Sequence, residues 1–164
     1  MLLISLKSPK KFTRILVPAV IFIILSLVLF FVKPADTTAN SPAGKYNICV
    51  KTDDDRAKFF SQFNWEVDPH PIIKDTVRIP ERFNETYDSY SKIQREQGLN
   101  IEKCKGKICE RFVYTVKNYE SKFGEVRATI LVRKNKVVAG DISSFSQGGF
   151  SHGFFKPDAN KKNL

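Results

Sequence analysis

Histidine is scarce in this chain: His70 and His152 are the only two among 164 residues. A hydrolytic zinc centre takes three or more protein ligands, so it would have to borrow carboxylates that no spacing marks. Cysteine is scarce as well, and Cys49, Cys104 and Cys109 make an odd count that excludes a complete disulfide framework. An oxidising compartment would let Cys104 and Cys109 close a short loop around Lys105-Gly106-Lys107. No second cysteine pair or nearby histidine completes a zinc set, and the plain reading is ordinary thiols with Cys109 on a strand. Phosphate-cradling glycine motifs are missing, both G-x-G-x-x-G and the Walker sequence. So is the G-x-S-x-G elbow of a serine hydrolase. These absences predict no cofactor, no metal and no enzyme.

Positive charge is in excess, with 27 Lys and Arg against 17 Asp and Glu and a formal net charge of +10. Lys7, Lys10, Lys11, Arg14 and Lys33 supply half of that excess from a stretch without acids. The rest is spread without a dense block, and aromatic residues follow core periods instead of interleaving with basic ones. Nucleic acid is therefore not an expected partner.

The apolar run Ile15–Val32 (ILVPAVIFIILSLVLFFV) carries no charge. As a helix it spans roughly 27 Å at about 1.5 Å per residue, close to a bilayer core. Arg14 and Lys33 can snorkel to the two interfaces, and Pro18 sits near the start, where a missing donor costs least. Four basic residues precede the run and only Lys33 follows closely, which keeps the amino terminus inside. Expected, then, are a basic cytoplasmic tail over 1–14, a single-pass transmembrane signal-anchor over 15–32, and an extracytoplasmic domain, with the lipid bilayer as partner. The rival is a cleaved signal peptide with its site at Ser41-Pro42-Ala43. That site lies well beyond a run already longer than the usual ~7–15 residue core of such peptides.

Residues 33–51 are rich in Pro, Ala, Ser, Thr and Asn and read as a flexible linker with a reach of roughly 24 Å. Tyr46–Val50 could already belong to a strand. Thr52-Asp53-Asp54-Asp55 reads as a helix cap; the later oxygen ligands of a calcium loop are absent. Phe59, Phe60 and Phe63 follow on one helical face. Asp68-Pro69-His70-Pro71 excludes helix and leaves His70 in a solvated turn. Ile73, Val77 and Ile79 alternate with polar residues as a half-buried strand does. Pro80 is expected to open a second helix, with Phe83, Tyr87, Tyr90 and Ile93 or Gln94 at helical spacing and Gly98 as its stop. Asn84-Glu85-Thr86 fits a glycosylation acceptor but reads better as a cap with an acidic first turn. Strands then alternate around Phe112, Tyr114 and Val116, around Val126–Val132, and from Val137 to Ile142, the last two joined by a tight turn at Lys134-Asn135-Lys136. The expected fold class is α+β, two helices on an antiparallel sheet of about four strands, over residues 52–155, with a polar tail over 156–164.

Six blocks occur in a particular order: Phe59–Val67 (FFSQFNWEV), Ile79–Asn84 (IPERFN), Gln94–Leu99 (QREQGL), Tyr114–Tyr119 (YTVKNY), Ala139-Gly140-Asp141, and Gly149–Gly153 (GFSHG). Together they resemble the DUF4830 family, bacterial domains of unknown function behind a membrane segment. The likeness covers about Thr52 to Phe155 and implies domain boundaries and a cell-envelope location, but no catalytic residue. Ser151 departs from the apolar residue expected before the His-Gly pair, and Cys104 from an aromatic.

Near the carboxyl end, Gly148, Gly149 and Gly153 flank Phe150, His152 and Phe154. Glycine gives close backbone access beside apolar side chains, which suits a partner's strand or loop. These six residues are the candidate binding site. Asp141, Ser143, Ser144, Ser151 and His152 also assemble a Ser/His/Asp set on paper, although neighbouring Ser and His rarely face each other. The expected function is an extracytoplasmic binding or interaction module at the cell envelope, with a neighbouring envelope protein or wall component as partner. The alternative is an envelope hydrolase centred on His152.

Overall fold

The computed structural model describes residue 20 and residues 37–156, apart from positions 123, 145 and 147. The expected basic tail and transmembrane run lie outside the described residues except for Val20, which is helical and exposed. The polar tail lies outside them except for Lys156. Among the described residues, no helix is long and apolar enough to cross a membrane. Contacts divide the chain after Asp36, and all the strands described belong to the second unit.

That unit opens with β1 (Thr38–Ser41) and β2 (Gly44–Asn47), an antiparallel hairpin. Over Thr38–Asn47 this hairpin corrects the linker reading of residues 33–51, whose first four residues, 33–36, lie outside the described residues. Ala39 and Tyr46 face each other across the hairpin and are both buried. The small residues Ser41-Pro42-Ala43 form its tip, so cleavage there would remove β1 from the fold.

Helix α1 (Asp53–Ser61) starts at the expected cap. Thr52 accepts from the Asp55 amide while the Asp55 carboxylate accepts from the Thr52 amide, a complete capping box. Helix α2 (Glu85–Glu96) begins five residues after Pro80, because Asn84 caps it by accepting from the Tyr87 amide. A short 3-10 turn, Ile101–Cys104, follows.

The main sheet has five strands in sequential antiparallel order: β3 (Ile73–Arg78), β4 (Ile108–Thr115), β5 (Val126–Arg133), β6 (Lys136–Ser144) and β7 (Ser151–His152). The expected count of about four becomes five with β7, and the hairpin adds a second, two-stranded sheet. Lys134 and Asn135 both take positive φ, 52° and 59°, as a two-residue hairpin turn requires.

Strand alternation gives the sheet two buried faces. Phe112, Tyr114, Ala128, Ile130 and Ile142 face one cluster with α1, the β1–β2 hairpin, Trp65 and Phe154. Cys109, Leu131 and Ala139 face a smaller cluster with Ile79, Ile101 and Tyr90.

Candidate functional site

The two-residue strand β7 lies between two closely packed glycines. Gly149 lies so close to the end of β6 that a Cβ there would sit 2.4 Å from the Ser144 carbonyl oxygen. Gly153 is packed against the Gln97 side chain, where a Cβ would meet it at 2.7 Å. Between them, Ser151 pairs with Ser143 and His152 with Ile142.

The six candidate residues divide accordingly. Gly148 and Gly149 are exposed, while Phe150, His152 and Gly153 are half-buried. Phe154 is fully buried, which removes it as a contact for a partner. Its ring stacks on Phe63 at 5.1 Å and meets Phe59 edge-on at 5.0 Å. Its carbonyl accepts from the Trp65 indole N–H, and its amide donates to Oε1 of Gln97. The glycines beside it serve close packing of the returning chain.

Phe150 and His152 join a set of nearly parallel rings that the sequence did not reveal. Trp65 stacks on Tyr119 at 5.4 Å, Tyr119 on Phe150 at 4.9 Å, and Phe150 beside His152 at 5.4 Å, with interplanar angles of 11–19°. Tyr119 follows β4 and Trp65 follows α1, so three separate chain segments build the stack. No periodicity connects them. A cleft of about 210 Å³ adjoins the stack, lined by Trp65, Asn118, Tyr119, Glu120 and Lys156. The Lys156 ammonium lies 4.8 Å from the Trp65 ring centre.

The Nδ1 of His152 donates to the Gly153 carbonyl at 2.6 Å, and Nε2 is buried without a hydrogen-bond partner among the described residues. Burial holds the imidazole pKa below its usual value, against the opposing pull of the Gly153 carbonyl. Asp141 turns the other way. Alternation along the β6–β7 pair puts Asp141, Ser143 and Ser151 on one face and His152 on the opposite one. The Asp141 carboxylate accepts from Tyr90 at 3.2 Å and from the hydroxyls of Ser143 and Ser151. Burial raises its pKa although those three donors pull it down. The Ser/His/Asp set drawn from sequence is thus split across the strand pair. His70 is exposed in its turn, as expected.

A second concavity, about 270 Å³, lies under α2, lined chiefly by Val77, Ile79, Tyr87, Tyr90, Arg111 and Leu131. Arg111 is already engaged there by a two-pronged ion pair with Asp75. Cys104 and Cys109 are buried free thiols in contact, and burial first, then Cys104, pushes the Cys109 thiol up to about 11. Among the described residues, no group of three or more His, Cys, Asp or Glu could hold a metal ion.

The model of a family described as a domain of unknown function, DUF4830, matches residues 59–142. Trp65, Tyr119 and Asp141 fall inside that stretch, whereas Phe150 and His152 follow it. No curated protein and no solved structure matches the chain.

Proposed function

We infer that this chain, which belongs to the DUF4830 family, is a membrane-tethered binding module of the cell envelope that recognises its partner through the aromatic rim of Tyr119, Phe150 and His152. One observation carries the reading. These rings are half-buried and stacked in register beside a cleft whose lining mixes aromatic faces with an amide, a carboxylate and an ammonium. Rigid aromatic surface with a few polar groups beside it is the composition of a recognition site, because such rings bring contact area at little entropic cost. The uncharged run Ile15–Val32 and the basic residues before it support the tether and the extracytoplasmic location. The envelope protein or wall component that occupies the rim is part of the same proposal.

Catalysis at His152 is the weaker reading, since its Nε2 lies on the opposite face of the strand pair from Asp141. A photo-crosslinking side chain at position 150, in the tethered protein within its native membrane, tests the proposal. A discrete crosslinked partner, lost when the same probe sits at exposed Thr76 on β3, supports it. Identical crosslinking from both positions contradicts it.

A further inference from the structure

One end of the main sheet is basic and carries an apolar side chain held out to solvent. Arg78 pairs directly with Ile108 at the β3–β4 end. The Ile79 amide donates to the Lys107 carbonyl at 2.9 Å, fixing the Lys105–Lys107 turn beside them. Glu110 lies opposite Val132, so antiparallel register brings the start of β4 next to the β5–β6 turn with Lys134 and Lys136. Ile108 is 55% exposed, more than any other large hydrophobic residue described. Among the described residues no carboxylate pairs with Arg78, Lys105, Lys107, Lys134 or Lys136. Glu81 and Glu110 lie nearby and leave the rim net positive. Asp53 is engaged by Arg56, and Asp55 by its own cap.

The chain enters the fold at this same end. Ile48 donates to the Thr37 carbonyl at 2.8 Å, Val137 donates to Ile48, and Cys49 bridges to Lys136. Thr37 thus joins the domain one strand away from the Lys134–Lys136 turn. In sequence, only Lys33–Asp36 separate it from the apolar run Ile15–Val32. Four residues span at most ~14 Å even when fully extended, which is far shorter than the flexible reach the linker reading assigned.

We propose that the basic rim of Arg78, Lys105, Lys107, Lys134 and Lys136 rests on anionic phospholipid headgroups, with Ile108 entering the headgroup layer. The proposal depends on the tethered reading above. Clustered lysine and arginine at a membrane surface are drawn to phosphodiester groups, and a protruding aliphatic side chain adds burial that simple counterions cannot provide. Docked this way, the domain would be held close to the bilayer instead of moving freely on a long leash.

The test uses the full chain reconstituted in two kinds of vesicle, pure phosphatidylcholine and phosphatidylcholine with phosphatidylglycerol. Amine acylation is followed at each lysine by mass spectrometry. Lys105, Lys107, Lys134 and Lys136 are expected to react at least about 5-fold more slowly in the anionic vesicles. Exposed Lys45 and Lys92 serve as internal controls and are expected to react alike in both. Raising salt to 1 M shrinks the screening length to about 3 Å and is expected to abolish the difference. Equal rates at the rim in both vesicles overturn the proposal. Alkaline extraction reports the tether separately. Release of the chain overturns tethering and this inference together, whereas a retained chain with unprotected rim lysines overturns this inference alone.

Discussion

Gln97 donates its side-chain N–H to the Gly140 carbonyl at 3.1 Å while its Oε1 accepts from the amide of Phe154. One carboxamide at the end of α2 therefore joins the middle of β6 to the returning carboxyl-terminal chain. Gln94, one turn earlier, accepts from the Gly140 amide at 2.9 Å and from Gln97 at 3.0 Å. The two glutamines do for the β6 edge beyond β7 what another strand would do, satisfying backbone groups that have no ladder partner there. The Tyr46 hydroxyl donates to the Gln97 carbonyl at 2.7 Å and ties the β1–β2 hairpin to the same point.

Removing that carboxamide strands several buried polar groups at once. Gln97→Ala is expected to lower stability by roughly 2–4 kcal/mol, more than one hydrogen bond's net worth, because the Gly140 carbonyl and Phe154 amide lose their partners. Urea unfolding with an unchanged slope measures it. A loss under about 0.5 kcal/mol, the range of an ordinary surface change, would mean the junction is not structural.

Phe154 and Tyr87 separate core from groove. Phe154 is completely buried among Phe59, Phe60 and Phe63, so Phe154→Ala is expected to cost roughly 3–5 kcal/mol. Tyr87 is only half-buried at the edge of the concavity under α2, and Tyr87→Ala is expected to cost clearly less. Thermal or urea unfolding of the two variants decides it, and equal losses would contradict this division.

What the sequence makes legible here follows from how local each cause is. The α1 cap is readable because Thr52 and Asp55 lie three residues apart and satisfy each other. Strands β3 to β6 are readable because apolar and polar residues alternate along them. The β1–β2 hairpin is not, since Thr38-Ala39-Asn40-Ser41 offers a single β-branched residue, Thr38, and no bulky apolar residue in alternation. Its pairing comes from backbone bonds and from Tyr46 reaching Gln97. The candidate site was half legible. Phe150 and His152 do lie in the rim, but Phe154 looked like their companion because its burial depends on Phe63, Trp65 and Gln97, all more than fifty residues away. Tyr119 carries no local mark at all.

Asp141 makes stability depend on pH in a particular direction. Its folded pKa is raised by burial above the ordinary carboxyl value near 3.9. The folded state therefore holds the proton more tightly than the unfolded chain. The favourable contribution is full below the unfolded pKa and is lost as pH rises through the folded value. Asp141→Asn keeps an acceptor for Tyr90 without the buried charge. It is expected to raise the melting temperature at pH 7 relative to the parent, with the gain shrinking toward pH 4. A variant less stable than the parent at pH 7, with no pH trend in the difference, contradicts this.

The central claim, recognition through the aromatic rim without chemistry at His152, is tested most directly by comparing Phe150→Ala with His152→Ala in the tethered protein. Recovery of a crosslinked envelope partner and hydrolysis of wall and peptide substrates are measured on the same preparations, with melting checked for each variant. The account predicts that both variants fold and that both weaken partner recovery to a similar, partial extent. It also predicts no hydrolysis to lose. A hydrolytic activity that His152→Ala alone abolishes, in a normally melting protein that still recovers its partner, would contradict it.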